Sequence, residues 1–206
     1  MSLYDSLLAE YGYNAPIFSN EIVFEEYSRP WIYKELNRLC EEKVLVRFEK
    51  GTYYIPEQTL FGNSVMNPRK VIEKKYIQSK QDVFGYYSGC YLLNQLGLTN
   101  QMPNLIEIYT NNESSKARDI LVGTQTVRLK KARTKITAEN ARVLVLMEIM
   151  NIIDLQAFNQ EKRRVIIEYI LKNKISRRDI SMYAPVFPDK AMRALIESEV
   201  IYSVAQ

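Results

Sequence analysis

Cations, amides and aromatic rings recur at helical spacing within "SRPWIYKELNRLCEEKVLVRFEKGTYYIP", residues 28–56. If residues 29–42 form a helix, one face carries side chains that can bond base edges and phosphates in the major groove of DNA. The side chains of this face are Arg29, Trp31, Tyr33, Lys34, Asn37 and Arg38. Arg29 lies at the helix N-terminus, the end that usually meets the bases, and Asn37 suits adenine. The chemistry expected here is recognition of double-stranded DNA.

Two further cations follow this helix in a predicted hairpin. Arg47 and Lys50 are placed to touch the phosphate backbone, while Lys34 or Arg38 of the helix suits guanine or phosphate. A second interpretation stays open, because a winged helix can also serve as a protein-interaction module. In that case the aromatic side chains of the same face would dock a protein partner.

Charge is distributed unevenly along the chain. Residues 1–62 hold 6 Lys and Arg against 10 Asp and Glu, whereas residues 63–206 hold 22 against 14. Nonspecific affinity for DNA depends on neutralising phosphates, so the acidic first part counts against DNA binding by that part alone. Its acids fall on the preceding segment and on the far end of the helix, which leaves the helix face locally basic.

A second group of basic residues lies in the later part of the chain. Its members are Lys116, Arg118, Arg128, Lys130, Lys131, Arg133 and Lys135. Such a charge run is often a solvated strand end and loop. The alternative is an electropositive surface that supplies the phosphate contacts the first part lacks.

Catalytic chemistry has little support. The chain has no histidine, which excludes Ser–His and Cys–His arrangements, histidine acids and most zinc sites. No glycine-rich phosphate loop occurs, since "VGTQT" lacks the lysine and glycines that such a loop needs. Cys40 and Cys90 are interpreted as core thiols rather than a disulfide, and Ser88 lies in an apolar run with no base in view. We therefore expect no enzyme activity, no cofactor and no metal.

The elements that would position the first basic group follow one another in a familiar order. Apolar spacing predicts a helix over residues 3–11, a short helix over "NEIVFEEY" and the helix over residues 29–42. "KVLVRF" and "TYYIP" are β-branched and aromatic runs on either side of "EKG", as in a hairpin. Helix, helix, helix, hairpin is the order of a winged helix-turn-helix.

The later part alternates between helix and strand patterns. The predicted elements are a basic helix "RKVIEKKYI", a buried helix "GYYSGCYLLNQLGL", a strand "LIEIYT", two strands across Gly123, and helices at 138–153, 161–173 and near 189–199. The predicted fold class is α+β. A winged helix-turn-helix DNA-binding domain occupies residues 1–60, a linker residues 61–67, and an α+β domain with a small sheet packed by helices residues 68–206.

Composition indicates a globular protein without a membrane partner. Nearly half of the residues are apolar, enough for a normal core. No apolar run approaches the roughly 20 residues of a membrane span. The N-terminus lacks the basic and apolar regions of a signal peptide, so we expect a cytoplasmic location.

One segment resembles a known family. "FGYYSGCYLLNQLGLTNQMPNLIEIYTNNESS", residues 84–115, is similar to the core segment of the AbiEi-type antitoxins of abortive-infection (type IV) toxin–antitoxin systems. That segment has the form G-Y-x-S-x-x-x-x-L-x-x-x-G-L-T-x-Q-x-P, followed by a strand that ends in Thr. The matching residues are Gly85, Tyr86, Ser88, Leu93, Gly97, Leu98, Thr99, Gln101, Pro103 and Thr110. The preceding winged helix and the later "TKITAENARVLVLMEIMN" extend the resemblance over essentially the whole chain.

The resemblance implies a transcriptional regulator that acts as an antitoxin. Such a protein binds inverted repeats in its own promoter and represses an operon that also encodes a nucleotidyltransferase-like toxin. The implied partners are double-stranded DNA, that toxin, and further copies of the chain on DNA. The implied DNA contacts fall on the helix face listed above and on Arg47 and Lys50. The implied role of the later domain is antitoxicity and cooperative DNA binding.

Overall fold

A computed structural model describes residues 2–204 of the chain. It divides into two compact units. The first runs up to Lys74 and includes Val122–Thr124, and the second covers Lys75–Leu121 and the residues from Gln125 onward. Helices and small sheets occur together, so the predicted α+β class is confirmed at that level. Within residues 2–204 no helix is long and apolar enough to cross a membrane.

The first unit begins with a short helix and ends in another. Its elements are α1 (Leu3–Tyr11), β1 (Ile17–Phe18), α2 (Arg29–Glu41), β2 (Val46–Glu49), β3 (Thr52–Tyr54), β4 (Gln58–Thr59), β5 (Gly62–Asn63) and the start of α3 (Pro68–Tyr76). A reciprocal capping box between Ser2 and Asp5 starts α1, because each side chain bonds the other's backbone N–H. Within the predicted linker, residues 61–67, Gly62–Asn63 form β5, which pairs with β4 just before it.

The helix α2 has the apolar stripe that its sequence predicts. Ile32, Leu36 and Leu39 are buried, and Pro30 lies in the first turn, where a missing N–H costs little. Strands β1, β3 and β2 form a three-stranded antiparallel sheet in that order, with a register shift between Arg47 and Glu49. The shared core of this unit fixes which face of α2 is exposed.

The prediction of a short helix over "NEIVFEEY" is wrong. Residues 20–27 form turns and irregular backbone instead, and of their apolar side chains only Ile22 is buried, while Val23 is 72% exposed. A short helix is costly to nucleate, and one buried side chain does not offset that cost. The first unit therefore has α2 and its hairpin but no separate helix directly before them.

The second unit surrounds one mixed sheet with helices. Its elements are β6 (Gln78–Ser79), β7 (Asp82–Val83), β8 (Gly85–Ser88), α4 (Gly89–Gln95), β9 (Ile106–Thr110), β10 (Ala117–Val122), β11 (Gln125–Lys131), α5 (Ala141–Ile152), α6 (Gln160–Lys172), α7 (Arg177–Tyr183) and α8 (Asp189–Glu197). Short 3₁₀ turns cover Ala184–Val186 and Val200–Ser203.

The main sheet has the order β10–β11–β9–β8. Strands β9 and β11 are parallel, with Ile106 opposite Val127, and β8 is antiparallel to β9. Helix α5 packs against β8 and α8, and most of its side chains are buried. This buried helix anchors the core of the second unit.

Two further helix predictions need correction. The predicted helix "GYYSGCYLLNQLGL" is a helix only in its second half, because residues Gly85–Ser88 form β8. Aromatic residues favour strands as readily as buried helices, so the apolar run alone did not separate them. Helix α7 was not predicted, although a capping box between Ser176 and Asp179 marks its start.

Candidate nucleic-acid interface

The six side chains predicted to face DNA all lie on the exposed side of α2. Because Ile32, Leu36 and Leu39 are buried, helical geometry directs Lys34, Asn37 and Arg38 away from the core, whereas Arg29 is exposed because it lies in the first turn of the helix. The structure therefore brings the six together on one surface, which we call the α2 face.

An aromatic stack stands at the start of the α2 face. The rings of Trp31 and Tyr27 lie 4.3 Å apart with an angle of 15° between their planes. Trp31 remains 39% exposed, and neighbouring Tyr33 is 44% exposed. Stacked rings present a flat apolar surface with polar edges, which can pack on a sugar or on a protein.

Arg38 is neutralised by its own helix. Its Nε and Nη2 atoms donate to Glu35 at 3.0 and 2.5 Å, and its Nη1 atom donates to Glu42. The hydrogen bonds from Arg38 lower the pKa of the Glu35 carboxyl. Arg38 thus adds little net charge to the α2 face.

Arg47 ties the hairpin to the helix. Its Nη2 atom donates to Asn37 Oδ1 at 2.9 Å and to the Tyr53 hydroxyl at 3.0 Å, and its guanidinium lies 5.3 Å from the Tyr53 ring centre. The Asn37 carbonyl is engaged, while its amide N–H groups have no partner within residues 2–204. Asn37 therefore offers mainly donors, which suit acceptors such as guanine O6 or thymine O4 better than the adenine first expected.

Two cations of this region have no side-chain partner among the described residues. Lys34 on α2 and Lys50 at the hairpin turn have neither a hydrogen bond nor an ion pair within the described residues, and both are exposed. Arg29 makes one long hydrogen bond, 3.4 Å, to the Asn20 carbonyl. These three side chains, together with Arg47, whose hydrogen-bond partners are neutral, carry the positive charge of the α2 face and hairpin that no ion pair offsets.

Most of the second basic group is paired with acids. Arg118 binds the buried Glu113 at 2.9 Å. Hydrogen bonds from the Ser115 hydroxyl and backbone, together with Arg118, lower the pKa of Glu113 to about 2. This arginine therefore serves mainly to hold a buried carboxylate.

The strands β10 and β11 hold a second ion-pair network. Arg128 donates to both carboxylate oxygens of Asp119, at 2.7 and 2.8 Å, and these bonds lower the pKa of the Asp119 carboxyl. Lys130 lies 3.2 Å from Glu107, and Arg128 lies 3.7 Å from the same side chain. Neither cation is free to neutralise a phosphate without losing an existing partner.

Three lysines of the group remain unpaired. Lys116, Lys131 and Lys135 are exposed and have no side-chain partner in the part of the chain that the structure describes. Lys131 and Lys135 also line one open cavity of about 380 Å³, at the end of the parallel strands β9 and β11. Its other lining residues include Thr134, Asn111 and Glu113, whose carboxylate is already bonded to Ser115 and Arg118. An anion could meet two ammonium groups there.

Comparison with protein families places the chain in a family. A family described as a family of unknown function, DUF6088, matches residues 17–178. The chain belongs to the DUF6088 family. The match begins at β1 and ends within α7, so it includes α2, the hairpin and the main sheet. No curated protein matches the chain.

The DUF6088 chain also contains a buried polar cluster that the sequence did not reveal. Ser88 donates to Glu148 Oε1 at 2.7 Å, and the two residues are 0% and 1% exposed. Glu148 Oε2 has no hydrogen bond within residues 2–204 and lies 3.8 Å from Arg133 Nη2. Arg133 in turn donates to the Tyr109 hydroxyl at 2.9 Å.

This cluster resembles a hydroxyl activated by a base, but solvent does not reach its two central residues. Burial raises the pKa of Glu148, against the opposing effects of Ser88 and Arg133. Ser88 precedes Glu148 by sixty residues in sequence, so no local pattern could have paired them. Among the described residues of the DUF6088 chain, no His, Cys, Asp and Glu side chains converge as metal ligands, and both cysteines are free thiols.

Proposed function

We propose that this DUF6088 chain is a sequence-specific double-stranded DNA-binding regulator, with α2 as the recognition helix and β2–β3 as a wing. The observation that carries the proposal is the α2 face itself. It gathers Arg29, Lys34 and the Asn37 donors on an exposed helix whose opposite side is fixed in a core. An α-helix presenting such donors fits the major groove.

The sheet order supports a winged-helix assignment. Strand β1 pairs with β3, and β2 and β3 form the hairpin that directly follows α2. Arg47 connects that hairpin to Asn37, so the wing and the helix would dock on DNA as one body. The turns at residues 20–27 occupy the place of the helix that precedes the recognition helix in a standard helix-turn-helix.

The later part of the chain contributes phosphate contacts in this proposal. Lys131 and Lys135 have no competing carboxylate partner among the described residues, so their charges remain available for the DNA backbone. Regulation of a toxin–antitoxin operon, with a nucleotidyltransferase-like toxin as partner, rests on the resemblance of residues 84–115 to AbiEi-type antitoxins. A second candidate function, protein binding through the α2 face, is favoured by the Trp31–Tyr27 stack and the neutralised Arg38.

Selection from a random pool of DNA duplexes tests the proposal whatever the operator sequence is. The wild-type chain is expected to enrich one inverted repeat. Asn37→Ala and Lys34→Ala should each lose about 1–3 kcal/mol of discrimination at particular base pairs. Arg38→Ala should lose less, because its charge is already offset by Glu35 and Glu42.

A matched control is Lys190→Ala, which removes the same charge from α8 and should change nothing. If no sequence is enriched, or if all four variants behave alike, the α2 face does not read DNA. Protein binding would then be the better account of its aromatic side chains.

A further inference from the structure

The β4–β5 hairpin ends in two apolar side chains that the fold does not use. Leu60 and Phe61 form its two-residue tip, and each is 100% exposed. Val65, just beyond the hairpin, is 85% exposed. No residue from 58 to 68 is charged. Exposed apolar groups of this size gain nothing from folding of the single chain and mark interaction surfaces.

The tip is displayed from a fixed base. Thr59 Oγ1 donates to the Gly62 carbonyl at 2.7 Å and accepts from the Phe61 N–H at 3.2 Å. Gly62 has φ 103°, which closes the turn at little cost for a glycine. Ser64 Oγ accepts from the Glu57 N–H at 2.8 Å and donates to Asn14 Oδ1 at 2.5 Å. These bonds hold the hairpin on the rest of the first unit.

A cavity of about 360 Å³ lies at the base of the same hairpin. Its apolar walls are Tyr4, Tyr13, Val44 and Pro56. The flanking residues are Lys43, Glu57 and Gln58, the last being the first residue of β4. The hairpin tip does not fill this cavity in its own chain, since both tip residues are fully exposed and neither lines the cavity.

We propose that the hairpin is a self-association element: Leu60 and Phe61 of one copy insert into the Tyr4–Tyr13–Val44–Pro56 cavity of a second copy. The projection and the cavity belong to the same unit, so a two-fold axis makes both insertions at once. That reciprocal arrangement is the one that closes a dimer rather than building a filament. The uncharged tip meets no like charge at the Lys43 and Glu57 positions.

The chemistry of the tip favours a second copy over the other candidates. Anionic membranes and DNA attract cationic elements, and the segment from 58 to 68 has none. Two inserted Leu–Phe pairs and the walls they cover amount to roughly 1,000 Å², the lower end for a specific interface. The dimer is therefore weak in free solution and forms at high protein concentration.

Sedimentation velocity over a concentration series, up to about 0.5 mM, tests the proposal because weak dimers dissociate in that range. The wild-type chain should shift from monomer to dimer. Phe61→Ser should raise the dissociation constant more than about tenfold, as for an anchor residue at an interface centre. Val44→Trp, which fills the cavity and leaves the tip intact, should have the same effect. Val23→Ser, which removes another exposed apolar side chain from the first unit, should have none.

A photo-crosslinker in place of Phe61 locates the contact. Benzoylphenylalanine at this position should give a covalent dimer whose crosslinked peptide contains residues 4–13 or 43–58 of the other copy. A wild-type chain that stays monomeric over the whole series would contradict the proposal. So would normal dimerisation by Phe61→Ser, or a crosslink to any other segment. Unchanged thermal unfolding of the variants shows that the fold is retained, and the absence of DNA keeps this result separate from the proposed function.

Discussion

Arg38 and Lys34 lie one helical turn apart on α2, and their partners make them different. Arg38 binds Glu35 and Glu42, whereas Lys34 has no such partner among residues 2–204. The same contrast separates Arg118 and Arg128 from Lys131. At the scale of residues, the charge available to a nucleic acid is therefore smaller than the number of basic side chains suggests. Exposed ion pairs are individually weak, but breaking them still opposes a new contact.

Glu148 gives a residue-scale prediction about pH. Burial raises its pKa in the folded chain above the unfolded value, so the folded state favours the protonated carboxyl. The contribution of Glu148 to the free energy of unfolding is therefore greatest below the pKa that this carboxyl has in the unfolded chain. It is lost as the pH rises through the pKa that it has in the folded chain. Glu148→Gln keeps an acceptor for Ser88 and removes the buried charge. It should raise the free energy of unfolding at pH 8 by on the order of 1 kcal/mol, with a smaller effect at pH 5.

Thermal or denaturant unfolding of both chains at the two pH values measures this difference. Glu168→Gln is the control, because Glu168 is 69% exposed and pairs only weakly with Arg164 at 3.7 Å. A Glu148→Gln chain that is less stable at pH 8 would show that the charged carboxylate, through Arg133, stabilises the fold.

At the scale of elements, the sequence predicted the helices and strands whose apolar residues recur with one clear period. The stripe of α2 and the strands β9 and β11 were found because their buried positions recur with a regular period, whereas β10 is exposed over most of its length. Strand β8 was hidden in an aromatic run that continues into α4. The missed cluster of Ser88, Glu148 and Arg133 depends on packing between β8 and α5, which no spacing in the sequence encodes.

Gly85 and Gly97, both part of the resemblance, have different physical reasons to be glycine. A Cβ on Gly85 would lie 1.9 Å from the Tyr76 carbonyl oxygen, a backbone atom that cannot move aside. Gly97 has open space around it but a φ of +71°. We expect Gly85→Ala to lower the free energy of unfolding by about 2–3 kcal/mol, because the strand must shift.

Gly97→Ala serves as the comparison and should lose about 1 kcal/mol, the usual penalty for left-handed backbone. Urea unfolding of the two variants gives both values. Equal losses would mean that β8 adjusts to the added methyl group, and that the close approach to Tyr76 does not restrict position 85.

At the scale of the whole molecule, the formal net charge of +4 conceals an acidic first part and a basic later part. In the proposed function, base discrimination depends on the α2 face, while general affinity depends on the unpaired lysines. These two contributions respond differently to salt, since only phosphate contacts release counterions from DNA.

Salt titrations of DNA binding test this division. Lys131→Ala and Lys135→Ala should each weaken binding to all duplexes and reduce the slope of log K against log salt by about 0.9, the value for one phosphate contact. Base preference should stay as in the wild type. Lys190→Ala, with the same loss of charge in α8, should leave the slope unchanged. A slope that neither cavity lysine alters would remove the later part from the DNA contact.

The order of the main sheet has a consequence for synthesis of the chain. Strand β11 comes last in sequence among the strands of this sheet, yet it lies between β10 and β9. Until residue 131 has left the ribosome, the edge of β9 that β11 will cover stays open, and α5 has not yet been made. An open strand edge can pair with other chains. Chains truncated before residue 131 would therefore be aggregation-prone fragments rather than a smaller folded protein. The nascent chain is most exposed to aggregation between the synthesis of β9 and that of β11.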